Sequence, residues 1–99
     1  MKIELLDLAQ GDLIDGYRFY ESQEAGLGSY FLDTLYSDIN SLRIFAGIHR
    51  QAYKNLHRAL SKRFPFAIYY TVDSGTIRVM SVVDCRRNPS WIRRHLRQG

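Results

Sequence analysis

The sequence predicts an α+β fold: a short N-terminal strand, an antiparallel helical hairpin packed on a three-stranded antiparallel meander, and a short C-terminal helix. Two changes of pattern carry this reading. Apolar residues recur every three or four positions through the first half of the chain and every second position from Tyr53 onward. Glycines and an Asp-Ser-Gly triplet then punctuate the segments at the lengths such elements have. Ninety-nine residues make a single domain, residues 1–99, with a core able to fold alone but too small to enclose a roomy cavity. A surface site is therefore expected.

The elements follow in order. After an apolar start at Ile3 to Leu6, Asp7 and Gln10 stand three apart, like a capping box with Asp in the Ser/Thr role. Leu6, Ala9, Leu13, Tyr17 and Tyr20 then share one helical face, and the helix is expected to end near Gln23. Gly26 and Gly28 make the turn. A second helix carries Phe31, Leu32, Leu35, Ile39, Leu42 and Phe45 at helical spacing until Gly47 closes it. Two helices with so short a connection pack antiparallel.

From Tyr53 the period becomes two. Residues 54–60 alternate loosely, and Phe66, Ile68, Tyr70 and Val72 place four large apolar side chains on one face of the next strand. Asp73-Ser74-Gly75 is a turn. Ile77, Val79, Ser81 and Val83 then alternate with Arg78, Met80, Val82 and Asp84. One face of the meander should cover the helical hairpin, since neither layer buries its apolar side alone. Asn88-Pro89 fits a helix start, with Asn as cap and Pro in the first turn. Ile92 and Leu96, one turn apart, would dock this last helix and leave Arg93, Arg94 and Arg97 toward water.

Charge divides the chain. Residues 1–48 hold three basic and eight acidic residues, net −5, whereas residues 49–99 hold eleven basic and two acidic ones, net +9. A basic half of this kind suits a polyanion or an acidic protein partner, because opposite potentials speed encounter. A solvated basic surface is the plainer alternative. No apolar run approaches the about 18 residues a membrane span needs, and the start Met1-Lys2-Ile3-Glu4 does not resemble a secretory signal. The single Cys85 fits a reducing cytoplasm. No glycine-rich phosphate loop, two-cysteine spacing or His-x-x-x-His pair occurs, so no cofactor and no metal site is implied. Asp73 and Asp84 stand a strand apart, at about 3.3 Å per residue, and cannot form a carboxylate pair. Asp84 is expected to pair with Arg86 or Arg87.

The run from Arg63 through Phe64-Pro65-Phe66-Ala67-Ile68-Tyr69-Tyr70, the Asp-Ser-Gly turn, and Val79 to Val83 leading into Asp84-Cys85-Arg86-Arg87-Asn88-Pro89 resembles the RelE/ParE superfamily. These are toxins of bacterial type II toxin–antitoxin systems, often labelled plasmid stabilisation proteins. The order of the earlier elements is similar too, so the resemblance spans nearly the whole chain. It implies a small cytoplasmic toxin held inactive in a hetero-oligomer with a cognate antitoxin. Its target would be DNA gyrase, as for ParE-like members, or messenger RNA on the ribosome, as for RelE-like ones.

The two branches need different parts. Cleavage of RNA through its 2′-hydroxyl needs a base, a proton donor and cations around the phosphate. Here His57 is the nearest candidate base, with Arg58, Arg63 and Arg86 or Arg87 as cations; His49 and His95 are expected at the surface or rim. The RNase branch often carries a Tyr or His near its C-terminus, and this chain has no Tyr after Tyr70; His95 could substitute only if the last helix folds its own face back toward the sheet. The tail instead suits a non-catalytic binder. Arg86, Arg87, Arg93, Arg94 and Arg97 offer guanidinium groups for carboxylate or phosphate, and Trp91 offers a flat anchor of the kind found in interface hot spots or, equally, core packing for the last helix. The resemblance further implies a hydrophobic grip for the antitoxin, for which Tyr30, Tyr36, Tyr53 and Tyr69 are the exposed candidates; each also fits the edge of the core, ring in and hydroxyl out. Gyrase inhibition is the leading expectation. Ribosome-dependent RNA cleavage and a non-toxic nucleic-acid- or partner-binding module on the same fold are the alternatives.

Overall fold

Strand β1 (Lys2–Leu5) leads into helices α1 (Asp7–Gln23) and α2 (Leu27–Phe45), then strands β2 (Gln51–Tyr53), β3 (Leu56–Leu60), β4 (Phe66–Asp73) and β5 (Thr76–Asp84), and helix α3 (Pro89–Leu96). The computed structural model describes residues 1–46, 48 and 51–98; Gly47, expected to close the second helix, and His49 lie outside them. The five strands form one sheet in the order β1-β5-β4-β3-β2. The predicted meander is β3-β4-β5, antiparallel throughout. Two neighbours complete it: β1 runs parallel to β5, pairing Lys2 to Leu5 with Thr76 to Val79, and β2 folds back on β3 through a turn in which Lys54 takes φ 52°. The sheet is thus mixed and wider than the expected meander. A parallel partner brought back by a helical crossover leaves no local sequence signal.

The helical hairpin covers one face of this sheet. Ala9, Leu13, Phe31, Leu35, Ile39 and Leu42 meet Phe66, Ile68, Tyr70, Ile77, Val79 and Val82 in the main core. Phe45, expected on this face, is exposed as the last residue of α2. The helices approach closely near the connection. A β-carbon on Gly28 would stand 2.7 Å from the Tyr17 carbonyl oxygen, and one on Gly16 would stand 2.5 Å from the Phe31 ring. Gly28 is therefore a packing residue inside α2 rather than part of the turn. The capping box is also absent. Leu6 is the cap of α1 and contributes no side-chain bond, while Gln10 Nε2 reaches back to the Leu5 carbonyl at 2.9 Å. Glu21 instead caps α2, its carboxylate accepting from the amides of Gly26 and Gly28.

Strand β5 changes phase halfway. Tyr69 pairs with Ser81 and Tyr70 with Val79, so Met80 is an extra residue, a β-bulge. Ile77 and Val79 face the hairpin before the bulge, and Val82 faces it afterwards. Val83, expected on that side, joins Leu56, Ala67, Tyr69 and Leu96 in a second core on the opposite face of the sheet. At the β4–β5 turn Ser74 and Gly75 take φ 49° and 78°, the paired positive values of a tight hairpin, and glycine supplies one of them without strain. Helix α3 closes the second core with buried Leu96 and half-buried Trp91 and Ile92. Asn88 caps it as expected, Oδ1 accepting from Ser90 N at 2.8 Å, with Pro89 in the first turn. No described helix is long and apolar enough to cross a membrane.

Candidate docking face and the Asp12 cleft

The basic tail divides where β5 ends. Arg86 turns back onto Asp84: its Nε and Nη2 donate to the two carboxylate oxygens at 3.0 and 2.8 Å, and its backbone N donates to Oδ1 at 2.9 Å. This bidentate grip holds the Asp84 carboxyl below its ordinary range, chiefly through the side-chain hydrogen bonds. The same bonds raise Arg86, whose guanidinium also lies beside the Tyr20 hydroxyl. Burial raises the Tyr20 phenol, and the neighbouring Arg86 charge partly offsets it. Of the arginines offered for the target, Arg86 is the one that the protein's own carboxylate pairs. The pairing expected for Asp84 is borne out.

Arg87 takes the other direction. Its guanidinium carbon sits 4.3 Å above the Trp91 ring, a cation–π contact. Arg93, Arg94 and Arg97 are exposed on α3, in the last turn and at the cap, where positive charge suits the helix dipole. Arg87, Trp91, Arg93, Arg94 and Arg97 are thus brought together by one short element and its entry. Trp91 takes the core-packing role, half-buried against the second core, with Arg87 and His95 both stacked on its ring.

The residues expected for RNA cleavage are not assembled. His57 and Arg58 are consecutive on β3 and so point to opposite faces of the sheet. His57 stacks on Tyr70 at 5.2 Å, on the hairpin side. Arg58 donates to Tyr69 Oη at 3.2 Å and reaches Cys85 Sγ at 3.5 Å, on the α3 side. Arg63 donates to Tyr30 Oη at 2.9 Å near the start of α2, and Arg86 is held by Asp84. The candidate base and the nearest of these cations thus lie on opposite faces of the sheet.

The tyrosines separate similarly. Tyr30 and Tyr36 are 44% and 48% exposed on α2, as expected. Tyr53 is half-buried on the second core, with Lys54 Nζ 5.6 Å from its ring. Tyr69 is 6% exposed, not a surface residue, because β4 lies inside the sheet and is covered on both faces. Among the described residues no group of three or more His, Cys, Asp or Glu is placed to hold a metal.

One constellation lies outside all of these expectations. Asp12, on α1, accepts from Ser81 Oγ and, at 2.9 Å, from Val82 N through Oδ2, while Oδ1 lies 2.6 Å from His95 Nε2. The Asp12 and His95 side chains are 8% and 15% exposed. The His95 ring stacks on Trp91, centroids 4.6 Å apart and planes 13° apart. An open cleft of about 370 Å³ lies here between α1 and α3, with Phe19 and Trp91 on its walls, Val82 and Val83 behind, and Asp15 among its lining. Ser81 contacts the carboxylate and not the imidazole, so this is no nucleophile–base pair. Chain separations of 69 and 83 residues hid these contacts from any local pattern.

No family model and no curated protein matches the chain. Its fold does match. A chain in a solved structure of the chromosomal ParDE TA system from P. aeruginosa superposes with a TM-score of 0.73, over 85% of this chain and 95% of that one, at 16% identity. The chain thus has the fold that the RelE/ParE resemblance implied.

Proposed function

We propose that the chain is the toxin of a type II toxin–antitoxin module, neutralised by a cognate antitoxin, and that it acts by docking on DNA gyrase rather than by cutting RNA. The observation that carries this reading is the contrast between two residue sets. His57, Arg58, Arg63 and Arg86 each engage a different partner, with His57 and Arg58 on opposite faces of the sheet. Arg87, Trp91, Arg93, Arg94 and Arg97 occupy one helix and its entry. General acid–base chemistry needs convergent groups, whereas docking on an acidic surface needs exposed cations carried on one element. The likeness to a chain of a ParDE system supports the toxin–antitoxin setting. Exposed Tyr30 and Tyr36 on α2 are the remaining antitoxin contacts of the expected set, and the acidic segment of such a partner would suit the basic half of the chain.

Induced expression in bacteria tests the reading. Gyrase poisoning predicts filamented cells, blocked replication and trapped cleaved DNA, all reversed by co-expressing an acidic protein encoded beside the gene. Fragmentation of messages on ribosomes would overturn the target assignment, and normal growth at high expression would overturn the toxin assignment.

A further inference from the structure

Helix α3 has eight residues, Pro89–Leu96, too few to hold helical form in water without docking. Its first turn is tied by the chain to β5 and capped by Asn88. Its last turn is held by buried Leu96 and by the contact of His95 with Asp12. Asp12 is held independently of α3, because Ser81 Oγ and Val82 N donate to its other oxygen. The receiving carboxylate is therefore preorganised. The imidazole is oriented too, since Trp91 stacks on it from one turn earlier and Arg87 stacks on Trp91. Were the helix to lift, Asp12 would keep two of its three partners, so detachment leaves no stranded buried carboxylate in the body of the protein.

We propose that Asp12 and His95 form a clasp that fixes the far end of α3 and thereby sets the relative positions of Arg87, Arg93, Arg94 and Arg97. Both are positioning residues: neither reaches outward to a partner. The clasp is a property of the fold alone. Its consequence for target docking rests on the toxin reading above.

Hydrogen–deuterium exchange on the full chain tests it. His95→Ala removes the donor and His95→Gln retains one. In the Ala variant the amides of α3 should exchange at least about tenfold faster while β4 and β5 keep their protection, as local opening requires, and Gln should restore much of the difference. Unchanged α3 protection, equal loosening by Gln and Ala, or loosening of α3 and β4 together would each overturn the clasp. Growth arrest on expression provides the separate arm. If His95→Ala loosens α3 and weakens an arrest caused by the wild-type chain, clasp and docking reading stand together. If α3 loosens and the arrest is unchanged, the clasp stands and the claim that it serves docking fails.

Discussion

Arg86 and Asp84, two residues apart at the end of β5, form a closed bidentate pair, so the first of the two consecutive arginines is matched by the chain's own carboxylate while the second stacks on Trp91. This separates what sequence alone treats as one Arg pair. Charge reversal of Arg93, Arg94 and Arg97 together is expected to abolish growth arrest, whereas Arg86→Gln should leave most of it intact. Plating efficiency under induction measures both. A larger effect from Arg86 would move the docking face to the hairpin side of the sheet.

The same pair makes stability depend on acid. The Asp84 carboxyl titrates lower in the folded chain than in the unfolded one, so its contribution is fully present above the unfolded value of about 3.9 and is lost as pH falls through the folded value. Wild-type protein should therefore lose more stability between about pH 4 and pH 2 than Asp84→Asn does. Urea midpoints across that range give the comparison. Near neutral pH the substitution should cost about 1 kcal/mol or less, since the Arg86 partner is largely exposed.

His57→Ala is expected to leave growth arrest unchanged, because His57 faces Tyr70 on the hairpin side and shares no site with Arg58. Loss of arrest in this variant, with the fold intact by circular dichroism, would return the imidazole to the chemistry and favour RNA cleavage.

Two glycines of the hairpin should respond oppositely to the same substitution. Gly28→Ala drives a methyl against the Tyr17 backbone and should cost about 1–3 kcal/mol through overpacking. A β-carbon at Gly11 meets nothing within 4 Å, so Gly11→Ala in α1 should gain up to about 1 kcal/mol from helix propensity. Thermal unfolding of the two variants beside the wild type checks the contrast.

The sequence was legible where structure is local. Helical spacing placed α1 and α2, alternation placed β4, and Asn88-Pro89 marked the start of α3 almost to the residue. It was misleading wherever one strand answers to another. The Met80 bulge exchanges the faces of Val82 and Val83, and only the partner strand, one residue shorter, shows the mismatch. Tyr69 looked like a surface ring because nothing local says that β4 is covered on both sides. The opposition of His57 and Arg58 was present in the alternation all along, since neighbours on a strand cannot share a face. The Asp12 contacts lay beyond reach, because an Asp on an amphipathic helix reads as solvated until the fold brings Ser81, Val82 and His95 to it.

Pairing with β1 runs out at Val79, the fourth paired residue, while β5 continues to Asp84. Beyond that point a bare strand margin would invite another chain to line up against it and recruit further copies into ribbons. There the Asp12 carboxylate accepts from the Val82 amide, with a group that cannot propagate a ladder. This stretch of the β5 margin is in this way blunted against pairing with a second copy of the chain.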